Sequence, residues 1–293
     1  MKKIKEVWTN NPLAQFLSFF SRTYGGQERR YSQNFVTYCV LGNPSGELPI
    51  YFSTMRRGQG LIENADKSVK PARCYSAAVI GQVLCHRSWA VLGKLRRLTE
   101  IKLQSLSPEL RHFYENNVVV TLEQSFALAG LYQGSDAWEN ERNKRMTASV
   151  ARSQYTYYVN PNANWEKRYQ DVYHSSFSGN ADTLRGLRCE PEARERYEEK
   201  TGTKVYESGM IVREELPWLS ASLDGIVVDR GTVLKTLEIK AFKEGERLPA
   251  ADLVNQNLVK SLDKDTDKLR KTHEYYGQVQ IGMLLSGMSE CDF

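Results

Sequence analysis

Two runs of β-branched and apolar residues, Leu219 to Val228 and Val233 to Ala241, are joined through Asp229-Arg230-Gly231. A connection this short, with a glycine in it, forces the two runs to pair antiparallel, because a parallel pair needs a long crossover. A third run, Val205 to Val212, precedes them and reads as another strand. Helical patterns flank the strands. Gly186 to Lys200 is rich in Glu and Arg and ends at Gly202, which suits a helix C-cap. Tyr275 to Leu285 has the period of an amphipathic helix, and a charged segment, Lys260 to Lys271, lies before it. Trp138 to Tyr155 reads as one further helix. Strands mixed with helices in this way predict an α/β chain.

The hairpin carries the chemistry. Asp224 is expected near the middle of the first strand, just before Gly225, and Glu238 and Lys240 lie two apart on its partner. Side chains two apart point to the same face of a strand, so the Asp and the Glu-x-Lys pair can converge. Leu237, Ile239 and Ala241 alternate with these charges and leave the opposite face apolar. Two carboxylates make a hard oxygen site suited to Mg²⁺, and a neighbouring lysine can hold a water. That combination suits phosphodiester hydrolysis. Taken alone, a D…ExK spacing is short and common, and a solvated hairpin face accounts for it equally well.

The rest of the chain is less specific. Residues 75–104 have a helical period, Pro108 is placed to open another helix, and Val118 to Leu122 is a short strand or a linker. Near the front, Phe16 to Phe20 reads as a short helical face and Phe35 to Leu41 with Leu48 to Ser53 as a hairpin. Of 293 residues, 41% are hydrophobic and 26% charged, which excludes a disordered tail. No run of 18 apolar residues offers a membrane-spanning helix, and the basic start is followed by no uninterrupted apolar core of the signal-peptide kind. Five scattered cysteines point to a reducing, intracellular compartment. Residues 1–137 hold 17 Lys and Arg against 10 Asp and Glu, whereas residues 138–293 hold 23 against 25. A basic front can meet nucleic acid through Met55-Arg56-Arg57-Gly58 or Lys94-Leu95-Arg96-Arg97, or simply be solvated. Tyr155, Tyr157 and Tyr158 fit either base stacking or packing. The four histidines are isolated and lack zinc spacing.

Four blocks taken in order carry more information than any one of them. They are Trp138-x3-Arg142-x2-Arg145-Met146-Thr147-Ala148-Ser149; Gly186-x3-Glu190-Pro191-x-Ala193-x3-Tyr197; Ser222-Leu223-Asp224-Gly225 with Glu238-Ile239-Lys240; and Tyr275-Tyr276-Gly277-Gln278-Val279-Gln280, followed by Cys291-Asp292-Phe293. Over about 155 residues this series resembles the YqaJ-type viral recombinase family, relatives of phage lambda exonuclease in the PD-(D/E)XK nuclease superfamily. The resemblance implies a restriction-endonuclease-like core, a central mixed sheet flanked by helices, over residues 125–293. Residues 1–124 would form an N-terminal α+β region of unknown role. Family members continue past the Cys291 block, so the chain is expected to be truncated there, with the last strand left as an exposed edge.

The same resemblance implies the roles. Asp224, Glu238 and the carbonyl of Ile239 would ligate Mg²⁺, for which Mn²⁺ would substitute. Glu190 would serve the same metal from its helix, Lys240 would orient the attacking water, and Gln278 would line the site. Glu214, ten residues before Asp224, is a weaker match to an accessory acid. Arg142, Arg145, Thr147 and Ser149, with Trp138, would hold a 5′-phosphate. On a single helix Trp138, Arg142, Arg145 and Ser149 would share one face. The implied activity is 5′-to-3′ digestion of double-stranded DNA ends in recombination or repair, alongside a single-strand annealing protein and as a ring-forming homo-oligomer. The alternatives are a restriction-like endonuclease and a non-catalytic DNA-binding module. One departure from the family is Leu223, where a proline usually precedes the catalytic Asp.

Overall fold

The structure, a computed structural model, describes residues 76–85, 89–104, 106–158, 161–162, 164, 167, 181–263 and 268–293. The expected helix at 16–20, the hairpin at 35–53 and the basic cluster at 55–58 lie outside these residues, as do His86 and His174. Among the described residues no helix is long and apolar enough to cross a membrane, and Cys85, Cys189 and Cys291 form no disulfide.

Among the described residues four helices come first: α1 (Ala77–Cys85), α2 (Trp89–Gln104), α3 (Pro108–Asn117) and α4 (Leu122–Ala129). Pro108 sits in the first turn of α3, where its missing N–H costs nothing, and the Ser107 hydroxyl caps that turn. Val118 to Thr121 is a linker, and Thr121 and Gln124 close a capping box on α4. In α2, Arg96 is paired with Glu100 on the surface.

The expected helix over Trp138 to Tyr155 is in fact three elements: α5 (Asp136–Arg142), β1 (Met146–Thr147) and α6 (Ala148–Tyr158). Tyr155, Tyr157 and Tyr158 therefore lie on a helix. The long helix α7 (Ala181–Thr201) contains Pro191 and ends where Gly202 adopts a positive φ of 71°. The strands follow: β2 (Lys204–Tyr206), β3 (Ile211–Val212), β4 (Leu219–Ala221), β5 (Gly225–Asp229) and β6 (Thr232–Leu237). A 3-10 turn (Lys243–Glu246), α8 (Ala250–Asn255), α9 (Glu274–Ser286) and β7 (Cys291–Asp292) complete the order.

The fold is mixed α/β, but the single central sheet expected from the sequence is two small mixed sheets. One has the order β1-β4-β3 and the other β2-β5-β6-β7. Both long strand expectations divide between them. Val205 to Val212 splits at Ser208-Gly209, where the chain crosses α4: a Cβ on Gly209 would lie 2.3 Å from the Leu131 carbonyl oxygen. Leu219 to Val228 splits at Ser222-Leu223-Asp224. The hairpin β5–β6 is antiparallel as read, its turn made by Arg230 and Gly231 at φ 47° and 84°. Gln82 of α1 holds this turn, donating to the Gly231 carbonyl at 2.7 Å and accepting from the Val233 N–H at 2.9 Å. The main core joins Ile80 and Val83 of α1 to Ile211, Leu219, Ile226, Ile281 and Leu285, all nearly or fully buried. It bridges the two sheets, and burying each such side chain stabilises the fold by about 1.5–3 kcal/mol.

Candidate active site

Asp224 lies in the break between β4 and β5, not within a strand. Gly225 makes this position possible: a Cβ there would fall 2.5 Å from Val205 Cγ1 and 3.1 Å from Leu237 Cβ, so the chain passes Asp224 at a close crossing of three strands. Glu238 and Lys240 lie just past the end of β6. The alternation nonetheless continues beyond the strand, because the Glu238 N–H donates to the Asp292 carbonyl at 2.9 Å and extends the ladder to β7. Leu237 and Ile239 pack on Val205, Val227 and Tyr197, while Glu238 and Lys240 turn to the other side.

On that side the charges meet. The Ile239 N–H donates to Asp224 Oδ2 at 2.8 Å, which ties the two strand ends together. Lys240 Nζ donates to Glu238 Oε1 and stands 3.9 Å from Asp224 Oδ2. Gln278, from α9, donates to the same Glu238 oxygen at 2.6 Å. Gly277 lets it reach in, since a Cβ there would meet Arg152 Cβ of α6 at 3.1 Å. The Lys240 ammonium also lies 5.0 Å from the centre of the Tyr275 ring.

Burial sets the electrostatics. Glu238 is 6% exposed; its desolvation, with the negative charge of Asp224 added, pushes its carboxyl pKa up to about 7. Desolvation likewise raises Asp224, with Lys240 and the Ile239 N–H acting against it. Glu190, on α7, is raised by burial first and by Asp224 second, so it belongs to the same electrostatic cluster. Burial lowers Lys240, but Glu238 and Asp224 outweigh it and the ammonium is held above its usual value.

Among the described residues no three His, Cys, Asp or Glu side chains gather closely enough to hold a metal ion between them. Mg²⁺ does not require three; it is commonly held by one or two carboxylates and keeps several waters. Asp224 and Glu238 fit that demand. Both carboxylates reach the Lys240 ammonium and both are raised by desolvation, a cost that a bound cation would offset.

The model of the YqaJ-like viral recombinase domain matches residues 137–289, just over half of the chain. The chain belongs to this family. Two solved structures are also similar, both of the alkaline exonuclease LHK-Exo. That of the enzyme from Laribacter hongkongensis is 27% identical over 54% of this chain and 71% of its own, with a TM-score of 0.37. That of LHK-Exo in complex with dAMP is 26% identical with the same coverage and a TM-score of 0.38. No curated protein matches.

Within the YqaJ-like domain the first block does not form the single helical face expected of it. The chain leaves α5 at Arg142 and crosses to β1, which pairs parallel with β4, before α6 begins. Arg145 is thereby carried inward. Its side chain is 1% exposed, donating to the carbonyls of Pro217, Glu141 and Val118 at 3.0, 3.0 and 3.2 Å and to the Glu141 carboxylate at 2.5 Å. A guanidinium so placed ties α5, the linker after α3 and the approach to β4 together, with its donors facing away from solvent. Arg142 stays at the surface beside Glu139, its guanidinium 5.2 Å from the centre of the Trp138 ring. Trp138 donates from Nε1 to Ser222 Oγ at 3.0 Å, next to the break that holds Asp224. The Thr147 and Ser149 hydroxyls lie 3.0 Å apart.

Glu214 is turned elsewhere: its carboxylate accepts the Leu122 N–H at 2.7 Å, at the start of α4. Two residues at the site escaped the sequence reading, Arg194 and Glu207. Arg194 Nη2 pairs with Glu207 at 2.5 Å, and its Nη1 donates to the Asp224 carbonyl at 3.1 Å. The one signal for Arg194 is spacing, because Glu190, Arg194 and Tyr197 recur at four and three on α7 and so share a face; Glu207, just past β2, carries none.

Proposed function

We propose that this protein is a Mg²⁺-dependent DNA nuclease that digests duplex ends from 5′ to 3′, in recombination or repair of viral or mobile DNA. The observation that carries the reading is the meeting of Asp224, Glu238, Lys240 and Gln278 at the ends of β5 and β6, in a chain of the YqaJ-like family. It supports a PD-(D/E)XK-type assignment, with the expected core elements divided between two sheets.

In this reading Asp224, Glu238 and the carbonyl of Ile239 hold the metal, with Glu190 contributing from α7. Bound there, Mg²⁺ supplies positive charge to the phosphate and acidifies water. The residues do the rest. Lys240 holds the attacking water through its ammonium and steadies the charge that develops on the phosphate. Gln278 fixes Glu238 and so keeps one carboxylate oxygen turned toward the centre. The water oxygen bonds to phosphorus as the P–O3′ bond breaks, and the proton lost by the water is balanced by protonation of the 3′-oxygen. That direction of cleavage leaves a new 5′-phosphate on the shortened strand, which an end-gripping site needs for the next round. Arg142, Thr147 and Ser149 are the candidates for that grip, with Trp138 behind Arg142. The single strand left behind would pass to a single-strand annealing protein, and a ring of subunits would keep the enzyme on its substrate.

The test is incubation of the purified protein with linear and with circular duplex DNA of the same sequence, with Mg²⁺ and with chelator. Linear DNA should shorten from its 5′ ends in Mg²⁺ alone, and circular DNA should survive. Cutting of circles would replace the reading with an endonuclease. Binding without cutting under every metal tried would replace it with a non-catalytic module.

A further inference from the structure

We propose that Arg194 is a positioning residue for the candidate site: its two terminal nitrogens clamp the main chain of Asp224 to the acidic pair Glu190 and Glu207. The contacts belong to three separate segments. Nη1 donates to the Asp224 carbonyl at 3.1 Å and lies 3.8 Å from Glu190 Oε2, four residues earlier on α7. Nη2 meets Glu207, just past β2, at 2.5 Å. The side chain is 13% exposed, against 18% for Glu207 and 29% for Glu190.

The same helix supplies the contrast. Arg196 also has a carboxylate four residues before it, Glu192, and both of its bonds go to one oxygen of that residue. That pair is 75% and 65% exposed and, among the described residues, hydrogen-bonds to no other segment, which makes it an ordinary surface ion pair worth a few tenths of a kcal/mol. Arg194 differs in what it holds. Asp224 sits at a chain break between two sheets and cannot take its orientation from a strand ladder. Its carboxylate accepts the Ile239 N–H and faces the Lys240 ammonium, and its carbonyl accepts from Arg194, the one of these partners that holds its main chain. With that partner removed, the peptide can rotate and the carboxylate leaves the Ile239 N–H. A lysine keeps the charge but has one nitrogen, so it reaches either the carbonyl or Glu207 and cannot bridge them.

This inference rests on the nuclease reading only for its kinetic arm. The experiment compares the parent with Arg194→Lys, Arg194→Ala and the control Arg196→Ala, in two measurements. The first is backbone amide exchange by NMR on the metal-free protein. The Ile239 amide should exchange at least about tenfold faster in both Arg194 variants, while Val227, inside the same sheet, stays protected; Arg196→Ala should match the parent. The second is digestion of linear duplex DNA. Both Arg194 variants should lose kcat by about 10- to 100-fold, the range for residues that orient metal ligands, with KM for DNA unchanged. Unchanged Ile239 exchange in Arg194→Lys overturns the proposal, whatever the activity. So does uniform loss of protection across the sheet, which would make Arg194 a general stability residue. If the parent does not digest DNA but Ile239 is selectively released, the nuclease reading falls and the positioning role stands.

Discussion

Two regions of this molecule carry arginines and acids at motif spacing, and they use them in opposite ways. At the ends of β5 and β6, Asp224 and Glu238, 15% and 6% exposed, share Lys240 as their near cation. In the segment from Trp138 to Ser149, Arg145 is buried facing carbonyl oxygens and the Glu141 carboxylate. The first arrangement leaves like charges opposed and is under-compensated without a further cation. The second answers a positive charge with matched acceptors. Buried charge therefore points to chemistry only where its partners fail to neutralise it; otherwise it is part of the framework.

The contrast is sharpest at Arg145. Arg145→Ala takes the donor from three carbonyls and leaves Glu141 with Lys144 alone, so at about 1–3 kcal/mol for each acceptor left unmet it should lower stability by about 3–5 kcal/mol in urea denaturation. A loss under 1 kcal/mol would erase the distinction between the two regions. Asp224→Ala and Glu238→Ala should behave in the opposite sense. Each relieves a like-charge contact but gives up a bonded partner, the Ile239 N–H or Lys240 and Gln278, so the two effects offset and melting temperature should stay near the parent's, while DNA digestion falls by about 2.7–4 kcal/mol in transition-state terms, a hundredfold or more. Loss of both stability and activity would place these carboxylates in the framework instead.

A smaller effect separates Arg142 from Arg145. Arg142→Ala should leave stability within about 0.5 kcal/mol and slow digestion of 5′-phosphorylated duplex about 10- to 100-fold more than 5′-hydroxyl duplex, the loss of a charge-assisted contact of about 1.5–3 kcal/mol. Equal slowing of both substrates would mean a general backbone contact. The smallest effect is in acid. Although burial acts to raise it, Glu141 is held below the usual carboxylate range by its bonds to Lys144 and Arg145. A depressed folded-state pKa means that its contribution is complete above the unfolded value of about 4.3 and is lost as pH falls below it. The stability gap between the parent and Glu141→Gln should therefore be open at pH 7 and close below about pH 4. A gap that widens in acid would contradict the assignment.

Much of this was legible in the sequence, for physical reasons that differ by element. Helix α9 and the second half of α7 announce themselves through period and through Gly202, because a helix repeats its face and must end somewhere. The β5–β6 turn is legible because Asp229-Arg230-Gly231 admits few geometries. The divided strands were not. Periodicity gives no sign that Val205 to Val212 serves two sheets; the one local clue is Gly209, an isolated glycine in an apolar run, which often marks a close backbone approach. Arg145 was misjudged for a related reason. Spacing assigns a residue to a face only while the helix continues, and this one stops at Arg142, four residues before β1 begins its pairing with β4. Asp224, Glu238 and Lys240 survived the same error because their convergence depends on the hairpin, which holds even where the strands stop short of them.

Glu238 owes its place to β7. Two of that strand's backbone bonds, Thr236 to Glu290 and Glu238 to Asp292, extend the sheet past the end of β6. Asp292 is in turn clasped by Tyr197 at 2.5 Å and Lys235 at 3.1 Å. The β6–β7 pairing rests on few backbone bonds, and a segment so held opens at a cost far below that of global unfolding. Warming should therefore fray this strand first and release the main chain of Glu238 while the core around Ile211 and Leu285 is intact. Heat inactivation would then precede melting, and the working temperature of the site would be set by its edge rather than by its core.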